Sequence, residues 1–86
     1  MANPVIVPCP EGAWTKVATA QTTGVIHIVS EKPDKYLQTY RDTEDAAPTT
    51  IAEAVPFTEH LQISAAAAID VYVWAQGSAG SVRVDL

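Results

Sequence analysis

One cysteine, two histidines and a short run of acids are the residues of this chain whose types could do chemistry. Cys9 lies in Pro8-Cys9-Pro10, with neither a basic neighbour nor a helix start to stabilise a thiolate. It is therefore expected to be a small structural side chain. His27 and His60 could join Cys9 around zinc, but no two of the three have local ligand spacing, so no metal site is expected. Asp42, Glu44 and Asp45 are the densest acids, yet their stretch lacks the glycine that calcium loops use for their turn, and it reads as a solvated loop. Any two of the 10 acidic residues could meet as a glycosidase-like pair, although so small a β domain leaves little room for a substrate cleft. Neither a nucleophile motif nor a phosphate-cradling glycine loop is present. The expectation is a protein that is not an enzyme, with no catalytic residues and no cofactor.

A second set of residues suits binding better. Ile69, Val71, Val73 and Ala75 alternate with Asp70, Tyr72, Trp74 and Gln76. After Gly77-Ser78-Ala79-Gly80, Val82, Val84 and Leu86 alternate with Ser81, Arg83 and Asp85. Alternation on both sides of a glycine-rich loop predicts a β-hairpin. A four-residue loop would pair Gln76 with Ser81, set Val73 against Val84 and Val71 against Leu86, and place Trp74 opposite Arg83. Trp74 and Arg83 would then be close enough for a cation–π contact, and Tyr72, Trp74 and Arg83 are the residue types enriched in interface hot spots. The competing reading packs this face against a second sheet, and an aromatic platform for sugars is a further alternative.

The remaining elements also read as strands. Val5-Ile6-Val7, bracketed by Pro4 and Pro8, suits an edge strand and is taken as a further contact segment. Trp14 to Thr19 follows a turn at Glu11-Gly12. Thr22-Thr23-Gly24 predicts another turn before Val25 to Ser30, and Tyr36 to Thr43 alternates with its two tyrosines on one face. Asp42 to Pro48 should be an exposed loop. Thr50 and Glu53 have capping-box spacing, but Pro56 limits any helix to about one turn. Phe57 to Ser64 resumes β character, and Ala65 to Ala68 leads into the last hairpin. The fold class expected is all-β, a small antiparallel β-sandwich or barrel of about seven short strands ending in a C-terminal hairpin.

The bulk numbers narrow the partners. The 86 residues make one domain, 1–86, and a net charge of −5 makes nucleic acid an improbable ligand. No apolar stretch approaches the roughly 20 residues that span a bilayer. Met1 to Val5 shows no basic region followed by an apolar run, so no secretory signal is expected. A single cysteine fits synthesis in a reducing cytoplasm. A chain this short closes a core only marginally without disulfide or metal. Its 48% hydrophobic content beside 17% charged residues therefore points to assembly, with itself as a trimer or other closed oligomer, or with a larger protein.

With Ile69 to Gly77 and Gly80 to Leu86 in view, the chain resembles the small β-rich structural proteins of tailed-bacteriophage virions. Gly12-Ala13-Trp14-Thr15-Lys16-Val17-Ala18 and Tyr40-Arg41-Asp42-Thr43 add to the likeness, which is one of pattern over most of the length. The resemblance implies a many-copy β module, a capsid decoration or cement subunit that stabilises the assembled head, located in the virion and assembled in the host cytoplasm. Collar, tail or fibre-base roles, or a carbohydrate- or host-surface-binding module, are the alternatives. It implies a larger capsid or virion protein as partner but carries no binding residues across. Tyr72, Trp74, Arg83, Val5, Ile6 and Val7 are the expected interface residues on their own types and positions, and the charge and hydropathy lead to the expectation of neither nucleic acid nor membrane as partner.

Overall fold

The computed structural model describes residues 4–52 and 54–86. They form an all-β fold of six strands, β1 Val5–Cys9, β2 Trp14–Ile28, β3 Lys35–Asp42, β4 Val55–Phe57, β5 His60–Gln76 and β6 Gly80–Asp85. All ladders between strands are antiparallel, and they join into one sheet of order β1-β6-β2-β5-β3-β4. The sheet has two edges and does not close into a barrel.

Two long strands give the sheet its shape. β2 runs through the turn expected at Thr22-Thr23-Gly24 and pairs with β5 from Trp14↔Trp74 to His27↔His60. The register between them slips three times, between Lys16 and Ala18, Ala18 and Gln21, and Gln21 and Thr23. Bulges of this kind bend a strand and increase its twist. Ala20 sits at the bend in the left-handed region with φ 54°, and its N–H donates to Asp70 Oδ1 at 2.9 Å. Beyond the bend, the second half of β2 and the first half of β5 lie with β6 and β1. The other halves lie with β3 and β4.

The sheet is thereby folded over on itself. Ile26, Ile63, Val82 and Val84 from one half share a single buried cluster with Val17, Tyr36, Val71, Val73 and Ala75 from the other. Tyr36 demonstrates the closure. In a flat sheet β3 and β6 would be three strand spacings apart, about 14 Å. Yet the Tyr36 hydroxyl donates to Ser30 O at 2.8 Å and accepts from the Ser81 N–H at 3.2 Å. Gly80 makes this approach possible, because a Cβ there would run into the Tyr36 hydroxyl and the Pro33 ring.

Two expectations are corrected. The C-terminal strands exist at the expected positions but do not form a hairpin. β6 lies between β1 and β2, whereas β5 lies between β2 and β3. The loop Gly77 to Ala79 crosses from one half of the folded sheet to the other. The strand count is six among the described residues rather than about seven, because two pairs of expected short strands are the long β2 and β5. At Thr50 the backbone makes a turn, with the Ala52 N–H on Thr50 Oγ1 and the Ala54 N–H on Ile51 O. Glu53, the other member of the expected capping box, lies outside the described residues, as do Met1 to Asn3.

Candidate interaction surface

The six expected interface residues do not share one environment. Tyr72 lies on the outer face of β5 but is only 5% exposed, flanked across the ladders by Lys16 and Thr39. The Lys16 ammonium stands 5.8 Å from the centre of its ring and continues to Asp70 Oδ2 at 3.3 Å. Tyr72 is thus covered within the protomer, roofed by a charge that is itself anchored.

Trp74 is half-buried and its ring partner is Trp14, not Arg83. The two indoles are cross-strand neighbours that meet edge-to-face, with centroids 5.4 Å apart and planes at 69°. The Trp14 indole N–H donates to Thr50 O at 2.8 Å, which ties the loop after β3 over this end of the sheet. Pro48, in the same loop, is buried.

Arg83 is on the other half of the folded sheet. Its row runs across three ladders, Ile6↔Arg83↔His27↔His60. The guanidinium donates twice to Asp85 Oδ2, at 3.2 Å from Nε and 3.1 Å from Nη2. His27 Nε2 lies 3.3 Å from the same oxygen, and the His27 and His60 rings are 6.1 Å apart. This is an exposed polar row, in which the pairs add little stability because water screens them.

The N-terminal segment is where the expectation of an edge strand is met. Among the described residues β1 pairs only with β6, and Val5 and Ile6 are 56% and 54% exposed. Val7 is half-buried and packs on the core. Cys9 is fully buried, and burial pushes its thiol up to about 11, which removes it from nucleophilic chemistry near neutral pH. Asp42 closes a turn by accepting the Asp45 N–H at 3.0 Å. Among the described residues no three His, Cys, Asp or Glu side chains converge on a point where a metal would fit.

The chain matches no protein-family model, no curated protein and no solved structure.

The surface is therefore defined by its own geometry. Ile6 and Arg83 are exposed side by side on one face of the β1–β6 margin, with Val5 exposed on its other face, while Tyr72 and Trp74 belong to the body of the other half. Two features had no counterpart in the sequence reading. One is the buried Asp70 with its two partners. The other is a groove of about 410 Å³ lined by Tyr40, Leu61, Ile63, Ile69 and Val71, in which Tyr40 is 61% exposed. The tyrosine alternation in β3 signalled that Tyr36 and Tyr40 share a face, but not that only Tyr36 would be covered.

Proposed function

We propose that this chain is a structural subunit of a tailed-bacteriophage virion, a capsid decoration subunit that binds the assembled head and thereby stabilises it. In this reading the folded sheet acts as a sandwich-type module, assembled in the host cytoplasm and carried on the particle. The observation that carries the proposal is the β1 margin, where Ile6 stands exposed opposite Arg83 and Val5 is exposed on the other face of the same edge strand. Apolar side chains with an adjacent arginine are the composition of an interface anchor. The acidic balance of −5 suits the outside of a shell better than a surface facing packaged DNA. A subunit that binds the shell and not its free parts shifts the equilibrium toward the shell by mass action.

The test is whether the chain bands with particles. Phage purified on a density gradient from lysates of the strain that encodes it should contain the chain in a fixed ratio to the major shell protein. Ile6→Asp should strip it from those particles while leaving its thermal unfolding unchanged, since Ile6 points outward from an edge strand. Absence of the parent chain from the particles would reject the virion reading outright.

A further inference from the structure

The margins of this sheet are unequal in their capacity to accept another strand. β1 is blocked. The Ser81 N–H and C=O are both turned toward Tyr36 and Val29, so Pro8↔Ser81 is a pair without mutual hydrogen bonds, and alternation turns Ile6 and Pro8 outward. Ile6 then supplies the margin's one outward N–H between Pro4 and Pro8, since neither proline has a donor. β4 is three residues long with Pro56 at its centre. The first half of β2 is broken by its register slips and by Ala20. Prolines, short strands and bulges are the usual means by which natural sheets prevent edge-to-edge association.

The first half of β5 is a further margin, and from His60 to Ser64 it carries none of these devices. β3 covers β5 only from Ile69 to Gln76, because the chain turns away after Asp42. His60 to Ser64 pairs with β2 on one side and, among the described residues, has no strand on the other. The Ile28 N–H donates to Glu59 O at 2.9 Å. By alternation Leu61 and Ile63 bond to β2, while the N–H and C=O of Gln62 and Ser64 point away from it. The groove lined by Tyr40, Leu61 and Ile69 opens beside this margin.

We infer that the His60–Ser64 margin is a docking site for a second copy of this chain, which adds the same segment antiparallel about Gln62. The segment is self-complementary. The straight stretch ends where Ala65 to Ala68 bulge out opposite Thr22, so full overlap of five residues with their copy is centred on the middle one. Gln62 then exchanges two backbone bonds with its counterpart, and each Ser64 N–H reaches the opposing His60 C=O. The His60 N–H is already committed to Thr58 O. On the inner face Leu61 meets Ile63 of the copy, and on the outer face His60 meets Ser64. No acid or lysine lies in the segment, so no like charges oppose each other. The added strand also lies over Tyr40 and Ile69, covering apolar surface that the protomer leaves open.

Gln62→Pro tests the inference, because it deletes an N–H that points away from β2 and leaves the protomer's own ladder intact. Sedimentation equilibrium of the parent should show a monomer–dimer equilibrium, and the variant should be monomeric over the range in which the parent dimerises, with an unchanged circular dichroism spectrum. Independently of any variant, hydrogen exchange at the Gln62 and Ser64 amides should slow as parent concentration rises. A parent that stays monomeric, amides whose exchange ignores concentration, or a folded Gln62→Pro variant that dimerises like the parent would each overturn it. The inference stands apart from the virion reading, which fails or survives on particle composition.

Discussion

Asp70 and Ala20 face each other across the bend of the β2–β5 ribbon, joined by a 2.9 Å hydrogen bond from a backbone N–H to a buried carboxylate. The bond explains how an alanine comes to occupy the left-handed region, where non-glycine residues are uncommon. The other carboxylate oxygen takes the Lys16 ammonium, so both halves of the charge are compensated. The fold of the sheet thus depends on one acid in the middle of an apolar strand.

Asp70→Ala should cost about 1–3 kcal/mol, because it leaves the Ala20 N–H without its acceptor. Lys16 is itself exposed enough to return to water, so the larger penalty of a stranded buried charge is not expected. The shift of the urea midpoint measures it. A midpoint within error of the parent would mean that the bend holds without the carboxylate.

Tyr36→Phe should be destabilising by a similar amount, about 1–3 kcal/mol. The ring stays, but the Ser81 N–H loses its acceptor inside the fold. Gly80→Ala should be destabilising as well, since the methyl meets the same hydroxyl and the Pro33 ring. Because both changes act on one contact, the double variant should cost less than the sum.

Cys9 predicts a loss of stability at alkaline pH. Its thiol ionises at 9.0 in the ordinary state and at about 11 when buried. The folded form holds the proton longer, so the contribution is complete below pH 9 and declines as pH rises through the folded value. The full span is on the order of 2–3 kcal/mol. Burial also raises Tyr36, which adds to the loss at the upper end. Unfolding curves of Cys9→Ala and parent between pH 8 and 11 should differ in slope, the variant being flatter.

Trp74→Ala should unfold the domain more easily, by about 2–4 kcal/mol, rather than act as a surface change. Its edge-to-face contact with Trp14 is expected to contribute about 0.5–1.5 kcal/mol beyond buried area. A double-mutant cycle with Trp14→Ala measures that coupling. A coupling near zero would show the pair to be neighbours without interaction.

Much of the strand pattern was legible because alternation is a local signal. Val71, Val73, Ala75, Val82 and Val84 share one face, as their spacing predicted, and that face is the buried one, a choice the alternation left open. Val5 and Ile6 lie at an edge, as their prolines implied. The pairing was not legible, for a specific reason. Those five residues face the core whether β5 and β6 pair with each other or lie in opposite halves of a folded sheet, so the alternation is the same in both. The decision rests on β2, whose bulges and left-handed Ala20 depend on an acid distant in sequence. The interface set was misgrouped for the same reason, since Trp74 and Arg83 are opposite each other only in the hairpin.

The insertion of β6 between β1 and β2 also dictates an order of events. The two strands made first have no ladder with each other. Each gains its shared neighbour only when the segment from Gly80 to Asp85 arrives, after every other strand. A nascent chain on the ribosome therefore holds β1 without a partner and one side of β2 open until that segment emerges. Such dependence on distant pairing slows folding relative to a meander of equal length, and it confines completion of the core to the period after synthesis of β6.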